Sequence, residues 1–359
     1  MDIKEIGESG LIQRIADRYR SSHPAIISGI GDDAAAVSIT APSLLLATSD
    51  LLIEGIHFNL SSTDSYHLGW KSLAVNLSDI AAMGGTPRFF LVSLALPPHL
   101  QVEFIDDLYR GMMELATKFN TQLVGGDTNA SPDKLMIAIT LLGEAHPDHL
   151  LTRSGAQAGD SLYVTGTLGD AALGLHMIEK ESKSKKARPP HQLTLKHLAP
   201  YPRIQEGKAL AAHQLASAMI DISDGLCIDL QRMLTLSRVG ATIRLSRLPL
   251  SKQFREYQNH HPHDTIIDFA LSGGEDYELL FTSPPAKERK LLRCAKTWGG
   301  PLSKIGVITS SKGLVVLDQD KKPYHVDVHG YDHFSSPSPK RTSKNYPKRP
   351  LKSSIRSKS

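Results

Sequence analysis

A chain of 359 residues, 40% hydrophobic and 22% charged, is long for one core and ordinary in composition, so two globular domains are expected. The longest apolar run, residues 89–97, is too short to span a bilayer, and the opening MDIKEIGESG has no apolar signal region; a cytoplasmic protein without a membrane role is expected. The two cysteines, Cys227 and Cys294, show no CxxC or metal spacing and fit a reduced setting, and the formal net charge of +4 is uneven along the chain.

Residues 3–20 read as an amphipathic helix with Ile6, Leu11 and Ile15 on one side. Short strands follow at 25–30, 35–39 and 44–47, then a helix at 66–83 stopped by Gly84, Gly85 and Pro87. A strand at 89–96, a helix at 102–119 and strands at 122–124 and 135–142 complete a mixed sheet with a few helices. The polar stretch 144–159, rich in Pro, His and Gly, marks a boundary. Beyond it come a strand at 162–165, a helix at 169–179, an exposed Lys/Pro-rich loop at 181–190, and a helix at 204–215. A strand at 218–222, a helix at 225–236 and strands at 241–245, 279–282, 305–308 and 314–317 finish the pattern. The expected architecture is α/β plus α+β, with mixed sheets covered by helices. The expected division is an N-terminal α/β domain over 1–148, a C-terminal α+β domain over 149–334, and a disordered basic tail over 335–359. That tail holds eight Lys/Arg and no acids, so the rest of the chain has 33 basic against 37 acidic side chains. It reads as a solvated extension, with nonspecific contact to nucleic acid or another polyanion as the alternative.

Nine acidic side chains sit in short Gly/Ala/Ser-flanked segments: Asp32 and Asp33 in GIGDDAAAV, Asp50 in LLLATSD, Asp79 in NLSDIAAMGG, Asp127 in LVGGDTN, Asp221 and Asp224 in MIDISDGL, and Glu275 and Asp276 in LSGGEDYE. Small apolar flanks are the wrong setting for a solvated carboxylate, and buried acids need a partner or a metal. Singly, Asp32 and Asp33 could decorate a turn, Asp224 could cap a helix, and Asp127 could cap a turn after a strand. Jointly, their recurrence at strand ends points to several divalent cations serving phosphate chemistry. The GIGDDA match to a dinucleotide fingerprint is a decoy, because β-type residues follow where a helix is needed and two carboxylates would face the pyrophosphate. No P-loop (GxxxxGK followed by Ser or Thr) and no HRD or DFG set occurs. The candidate phosphate cradles are Gly125-Gly126-Asp127-Thr128, Ser223-Asp224-Gly225 and Ser272-Gly273-Gly274-Glu275. His260, His261 and His263 read as a solvated loop, His57 as a structural or a site histidine, and Arg153 as a boundary charge or a cation for phosphate.

In order along the chain, GIGDDAA, TSDLLIEGIHF, KSLAVNLSDIAAMGG, LVGGDT, LTRSGAQAGDSLYVTGTLGDAALGL, IDISDGLCIDL, LSGGEDYELLFT and GYDHF resemble the thiamine-monophosphate kinase family. The resemblance runs from about residue 5 to Phe334. It implies the two-domain fold of the aminoimidazole-ribonucleotide synthetase-like ATP-binding superfamily, with Mg-ATP binding and dimerisation in the N-terminal domain. It implies a homodimer, and a reaction of ATP with thiamine monophosphate that gives ADP and thiamine diphosphate by direct transfer without a phosphoenzyme. Because the acceptor is already an ionised phosphate, in-line transfer by metal clamping and alignment is expected, without a dedicated catalytic side chain. By motif, it implies that Asp33, Thr48, Ser49, Asp50, Asp79, Asp127, Asp221 and Asp224 hold several Mg2+ ions. Gly126, Asp127, Arg153 and Ser223 would contact ATP, and His57, Glu275 and Tyr331 the thiamine monophosphate.

Overall fold

The computed structural model describes residues 11, 13–28, 36–182, 192–261 and 266–326. Helix α1 (residues 13–19) leads to an antiparallel pair, β1 (Ile26–Ser28) and β2 (Ala36–Val37). Then come β3 (Leu44–Ile53), α2 (Ser65–Ala82), β4 (Thr86–Leu96), α3 (Val102–Lys118), β5 (Gln122–Ala130) and β6 (Met136–Ala145). Their sheet runs β3-β6-β4-β5; β4 and β5 are parallel, joined through α3, and the other pairs are antiparallel. Both β3 and β5 are longer than the sequence suggests. β3 continues through Thr48, Ser49 and Asp50 because all ten of its residues pair with β6, and β5 continues through Gly125, Gly126 and Asp127 against β4. Ladder pairing overrides the weak strand preference of Asp, Ser and Gly. Asp50 and Asp127 therefore lie inside strands, not at their ends.

The second half holds β7 (Ser161–Thr165), α4 (Asp170–Ser182), α5 (Gln192–Leu198), α6 (Ile204–Ala212), β8 (Ala218–Asp221), α7 (Leu226–Ser237) and β9 (Gly240–Arg244). It closes with α8 (Lys252–His260), α9 (Ile267–Ser272), β10 (Leu279–Ser283), α10 (Glu288–Ala295), β11 (Leu302–Thr309) and β12 (Gly313–Leu317). The sheet order is β12-β9-β11-β7-β10-β8, with only β9 and β12 parallel. Helices α5, α8, α9 and α10 were not expected, being short and weakly apolar; α8 buries only Phe254. The loop expected at His260 and His261 is corrected: His260 ends α8 and His261 caps it, each ring meeting the backbone carbonyl four residues earlier. His263, residues 183–190 of the expected loop, and the tail lie outside the described residues.

Helix α2 sets the relation between the halves. Fourteen of its eighteen residues are buried, and it packs on β3 and β6, on α3, and on α6 and β8 of the second half. Close approach depends on glycine. A Cβ on Gly69 would stand 1.8 Å from Leu108 O, one on Gly111 1.9 Å from Tyr66 O, and one on Gly207 2.2 Å from Ala81 O. One apolar cluster runs through the seam, joining Leu73, Ile80, Ile139 and Leu141 to Tyr163, Ile204, Met219 and Phe281. A second cluster belongs to the C-terminal half. Among the described residues no helix is long and apolar enough to cross a membrane.

Candidate active site at the seam of two sheets

Alternation along β3 turns Leu46, Thr48, Asp50 and Leu52 toward α2 and leaves Leu45, Ala47, Ser49 and Leu51 on the open face. Asp79 lies in the last turn of α2, where the helix dipole disfavours a carboxylate and no basic residue balances it. The Thr48 hydroxyl donates to Asp79. One residue earlier on α2, the fully buried Ser78 hydroxyl donates to Asp221 Oδ2 at 2.7 Å, across the seam at the end of β8. Asp50, Asp79 and Asp221 are thus drawn together by the packing of α2 between two sheets.

Their electrostatics are costly. Burial first, then Asp79, pushes the Asp50 carboxyl up to about 6. Burial raises Asp79 despite the Thr48 hydroxyl and the charge of Arg153. Asp221 is pushed to about 7 by burial, then by Asp79, against the opposing effects of Ser78 and Arg153. Arg153 is exposed, and its guanidinium lies within electrostatic reach of both Asp79 and Asp221.

The loop after β8 is ordered by an acid the sequence reading missed. Asp229, fully buried on α7, accepts the backbone N–H groups of Ser223, Asp224 and Gly225 on Oδ2 at 3.1, 3.0 and 3.1 Å. The expected phosphate cradle at Ser223-Asp224-Gly225 is corrected on this point, because its amides already serve the chain's own carboxylate. Its signal was the last acid of IDISDGLCIDL, four residues after the glycine that precedes α7. Asp224 does not cap α7; its Oδ2 pairs with Arg232 Nη1 at 2.5 Å. Asp276, one of the nine acids, is committed to the start of α4, where Gly169 N donates to its Oδ2 at 2.7 Å.

Glu275 and Tyr277 both take positive φ, 68° and 49°, a conformation that costs non-glycine residues and clusters at functional sites. The Glu275 N–H donates to Ser223 O at 2.8 Å, strapping this loop to the one after β8. Tyr277 is buried, and after burial the charges of Glu275, Asp221, Asp50 and Asp224 raise its hydroxyl further, which places the ring among those acids. His57 sits in the turn after β3, where its Nδ1 accepts the Ile53 N–H at 3.0 Å; the ring proton of the neutral form is then on Nε2.

Other expected site residues stand apart from the Asp50–Asp79–Asp221 group. Ser49 faces the open side of the sheet, its hydroxyl 3.2 Å from that of Thr140. Asp127 pairs in register with the exposed Ser93, is itself exposed, and binds Thr128 N and Asn129 Nδ2. Gly126, beside it, has φ 159°, and a Cβ there would meet Val92 O at 1.9 Å. Asp33 and Tyr331 lie outside the described residues.

Residues 31–145 match the family model for AIR synthase related protein, N-terminal domain, and residues 157–319 match that for the C-terminal domain. The thiamine-monophosphate kinase of Escherichia coli (strain K12) is 39% identical over 331 residues, covering 92% of this chain and 99% of that protein. The chain belongs to the thiamine-monophosphate kinase family. A crystal structure of thiamine-monophosphate kinase from Stenotrophomonas maltophilia K279a superposes with a TM-score of 0.78 at 37% identity, covering 88% of this chain and 96% of that one. The structure of AaThiL complexed with AMPPCP and TMP gives 0.72 at 36% identity, covering 93% and 99%.

The Mg2+ expected of a thiamine-monophosphate kinase suits this donor set. It is all oxygen, and burial and mutual repulsion push its carboxyl groups toward the uncharged form, a penalty that a bound cation would relieve. Among the described residues no three His, Cys, Asp or Glu side chains are arranged to hold a metal alone. Mg2+ commonly takes one or two protein carboxylates and completes its shell with phosphate oxygens and water.

Proposed function

We propose that this thiamine-monophosphate kinase family member transfers the γ-phosphoryl group of ATP directly to the phosphate of thiamine monophosphate, giving ADP and thiamine diphosphate. The observation that carries the reading is the convergence of Asp50, Asp79 and Asp221 at the seam, with burial and mutual repulsion raising Asp50 and Asp221 to about 6 and 7. Such an arrangement is uncomfortable without cations and useful with them. Asp33, Thr48, Ser49, Asp50, Asp79, Asp127, Asp221 and Asp224 would hold several Mg2+ ions, which supply positive charge between two anionic phosphates. The chain's own side chains do the aligning. Arg153, Ser223, Asp127 and Gly126 would contact the nucleotide, and His57, Glu275 and Tyr331 the thiamine monophosphate, with His57 able to donate from Nε2. The acceptor phosphate oxygen attacks the γ-phosphorus as the bond to the β–γ bridging oxygen breaks. The attacking acceptor oxygen is already ionised near neutral pH, so no general base is required, and the bridging oxygen leaves on ADP. What remains is to bring two anions into line, against a repulsion of about 4 kcal/mol for unit charges ~4 Å apart at an effective dielectric of 20.

The open face of the first sheet supports a homodimer with its active sites near the interface. Leu45 and Leu51 are 51% and 49% exposed there, beside Ala47 and Ser49, and Asp127 shares the face through its pairing with Ser93. The N-terminal residues 1–148 would then supply Mg-ATP binding and dimer contacts, and residues 149–334 the other wall of the site. The test is product formation from ATP, Mg2+ and thiamine monophosphate, with Asp50→Ala as control. Equal amounts of thiamine diphosphate and ADP, lost by at least ~100-fold in the control, are expected. ATP hydrolysis without thiamine diphosphate would move the acceptor to another phosphate or acid.

A further inference from the structure

We propose that Lys71 of α2 and His197 of α5 are positioning residues that clamp the Glu275 carboxylate, one oxygen each, and so fix the grip on the thiamine end of the acceptor. The inference rests on the substrate role proposed for Glu275. Lys71 Nζ lies 2.6 Å from Glu275 Oε1, and His197 Nδ1 lies 2.9 Å from Oε2. The imidazole Nδ1 faces that oxygen at hydrogen-bond distance and closes the second side of the carboxylate. Both partners are almost wholly enclosed, at 2% and 5% exposure, whereas the Glu275 side chain keeps 29% of its surface open. The carboxylate is therefore gripped from behind and presented in front.

Nothing in the phosphoryl transfer uses Lys71, and an ammonium on a buried helix is costly unless paired. The pairing is also long-range in the fold. Lys71 and Ser78, seven residues apart on one stripe of α2, reach Glu275 and Asp221 respectively, so one helix face registers the acceptor loop and the acidic group together. The main chain is held as firmly. Glu275 has φ 68°, its N–H is bonded to Ser223 O, and a Cβ on Gly274 would stand 2.5 Å from that same carbonyl oxygen.

The titratable groups facing the carboxylate are Lys71 from α2 and His197 from α5, with Tyr277 on its own loop and Glu179 of α4 beyond His197. Burial alone would raise the Glu275 carboxyl, but Lys71 and then His197 outweigh it and pull it down to about 2. Burial and Lys71 disfavour the charged imidazole. Glu275 is thus a fixed anion and a pure acceptor. That suits a ligand end carrying a cationic ring or N–H donors, and it makes the residue unsuited to proton transfer.

Steady-state kinetics on Lys71→Met, His197→Gln, Glu275→Gln and the two double variants test this. Each single variant should raise KM for thiamine monophosphate by roughly ten-fold or more, with KM for ATP within about two-fold of wild type. Lys71→Met or His197→Gln should add little on top of Glu275→Gln, because the clamp acts only through that carboxylate. An unchanged KM for thiamine monophosphate, or a full multiplicative loss in the Glu275→Gln background, would overturn the proposal and leave these residues as structural. If Lys71→Met does not fold, His197→Gln carries the cycle, since it strands no buried charge. A wild-type enzyme that makes no thiamine diphosphate sinks the kinase reading and this inference with it; a defect confined to the variants' pattern sinks this inference alone.

Discussion

Asp221 carries the largest electrostatic burden of the seam: it is 3% exposed, and its carboxyl is raised to about 7 by burial and then by Asp79. A folded-state value above the ordinary 3.8 means that the native protein binds the proton more tightly than the unfolded chain does. The resulting stabilisation is complete below about pH 4 and is lost as pH rises through about 7. Asp221→Asn removes that dependence, and its carboxamide oxygen can still accept from Ser78. With divalent cations chelated, the Tm difference between variant and wild type should be small at pH 4. It should grow in the variant's favour to several degrees by pH 7 to 8, while turnover falls by at least ~100-fold. A Tm difference flat with pH would show that Asp221 does not carry this burden. Legibility at this scale followed chemistry more than geometry. Small flanking residues exposed the acids, but a carboxylate that binds amides looks the same in a sequence as one that binds a cation. Asp276 therefore entered the acidic set, and Asp229 escaped it.

Helix α2 is where the elements meet, and its sequence states its surroundings once they are known. SYHLGWKSLAVNLSDIAA has small or apolar residues on every side, as a helix enclosed by two sheets and three other helices requires. Its bounds were legible from Gly84, Gly85 and Pro87; its neighbours were not, because a glycine inside a helix does not say which backbone it admits. Gly69 and Gly111 admit each other's helix, α2 against α3. In an exposed helix Gly→Ala would stabilise by about 1 kcal/mol. At Gly69 the new methyl would stand 1.8 Å from the Leu108 carbonyl oxygen, and forcing the helices apart typically costs 1–3 kcal/mol or more. Gly69→Ala should therefore lose about 2 kcal/mol in urea unfolding at unchanged m-value, with a matching loss of activity as Asp79 moves from Thr48. A stabilised variant would mean that α3 yields at no cost, and that the close crossing does not set the position of Asp79.

For the molecule as a whole, the two mixed sheets and their order in the chain were readable, since strand and helix periods alternate and the motifs keep their sequence. The joint core across residues 144–159 was not readable, because apolar residues such as Tyr163, Met219 and Phe281 do not announce which half they pack against. The open face of the first sheet raises the same question about what covers it. On β3 it displays Leu45, Ala47, Ser49 and Leu51, next to Leu142, Thr140 and Ala138 of β6 and Ser93 of β4. Burying the exposed half of each of two leucines would contribute about 0.8–1.5 kcal/mol apiece, and a self-complementary apolar sheet face is a natural two-fold contact. The full-length protein should sediment as a dimer at micromolar concentration. A Leu45→Glu, Leu51→Glu double variant should sediment as a monomer, because two unpaired carboxylates cannot be buried in that contact. Its loss of turnover should be tied to the loss of the dimer, because Ser49 and Asp127 lie on the same face and would need the partner to be screened from water. A wild-type monomer with full activity would remove both the dimer and the site placement built on it. A monomeric variant with full turnover would keep the dimer but confine the chemistry to the seam around Asp50, Asp79 and Asp221.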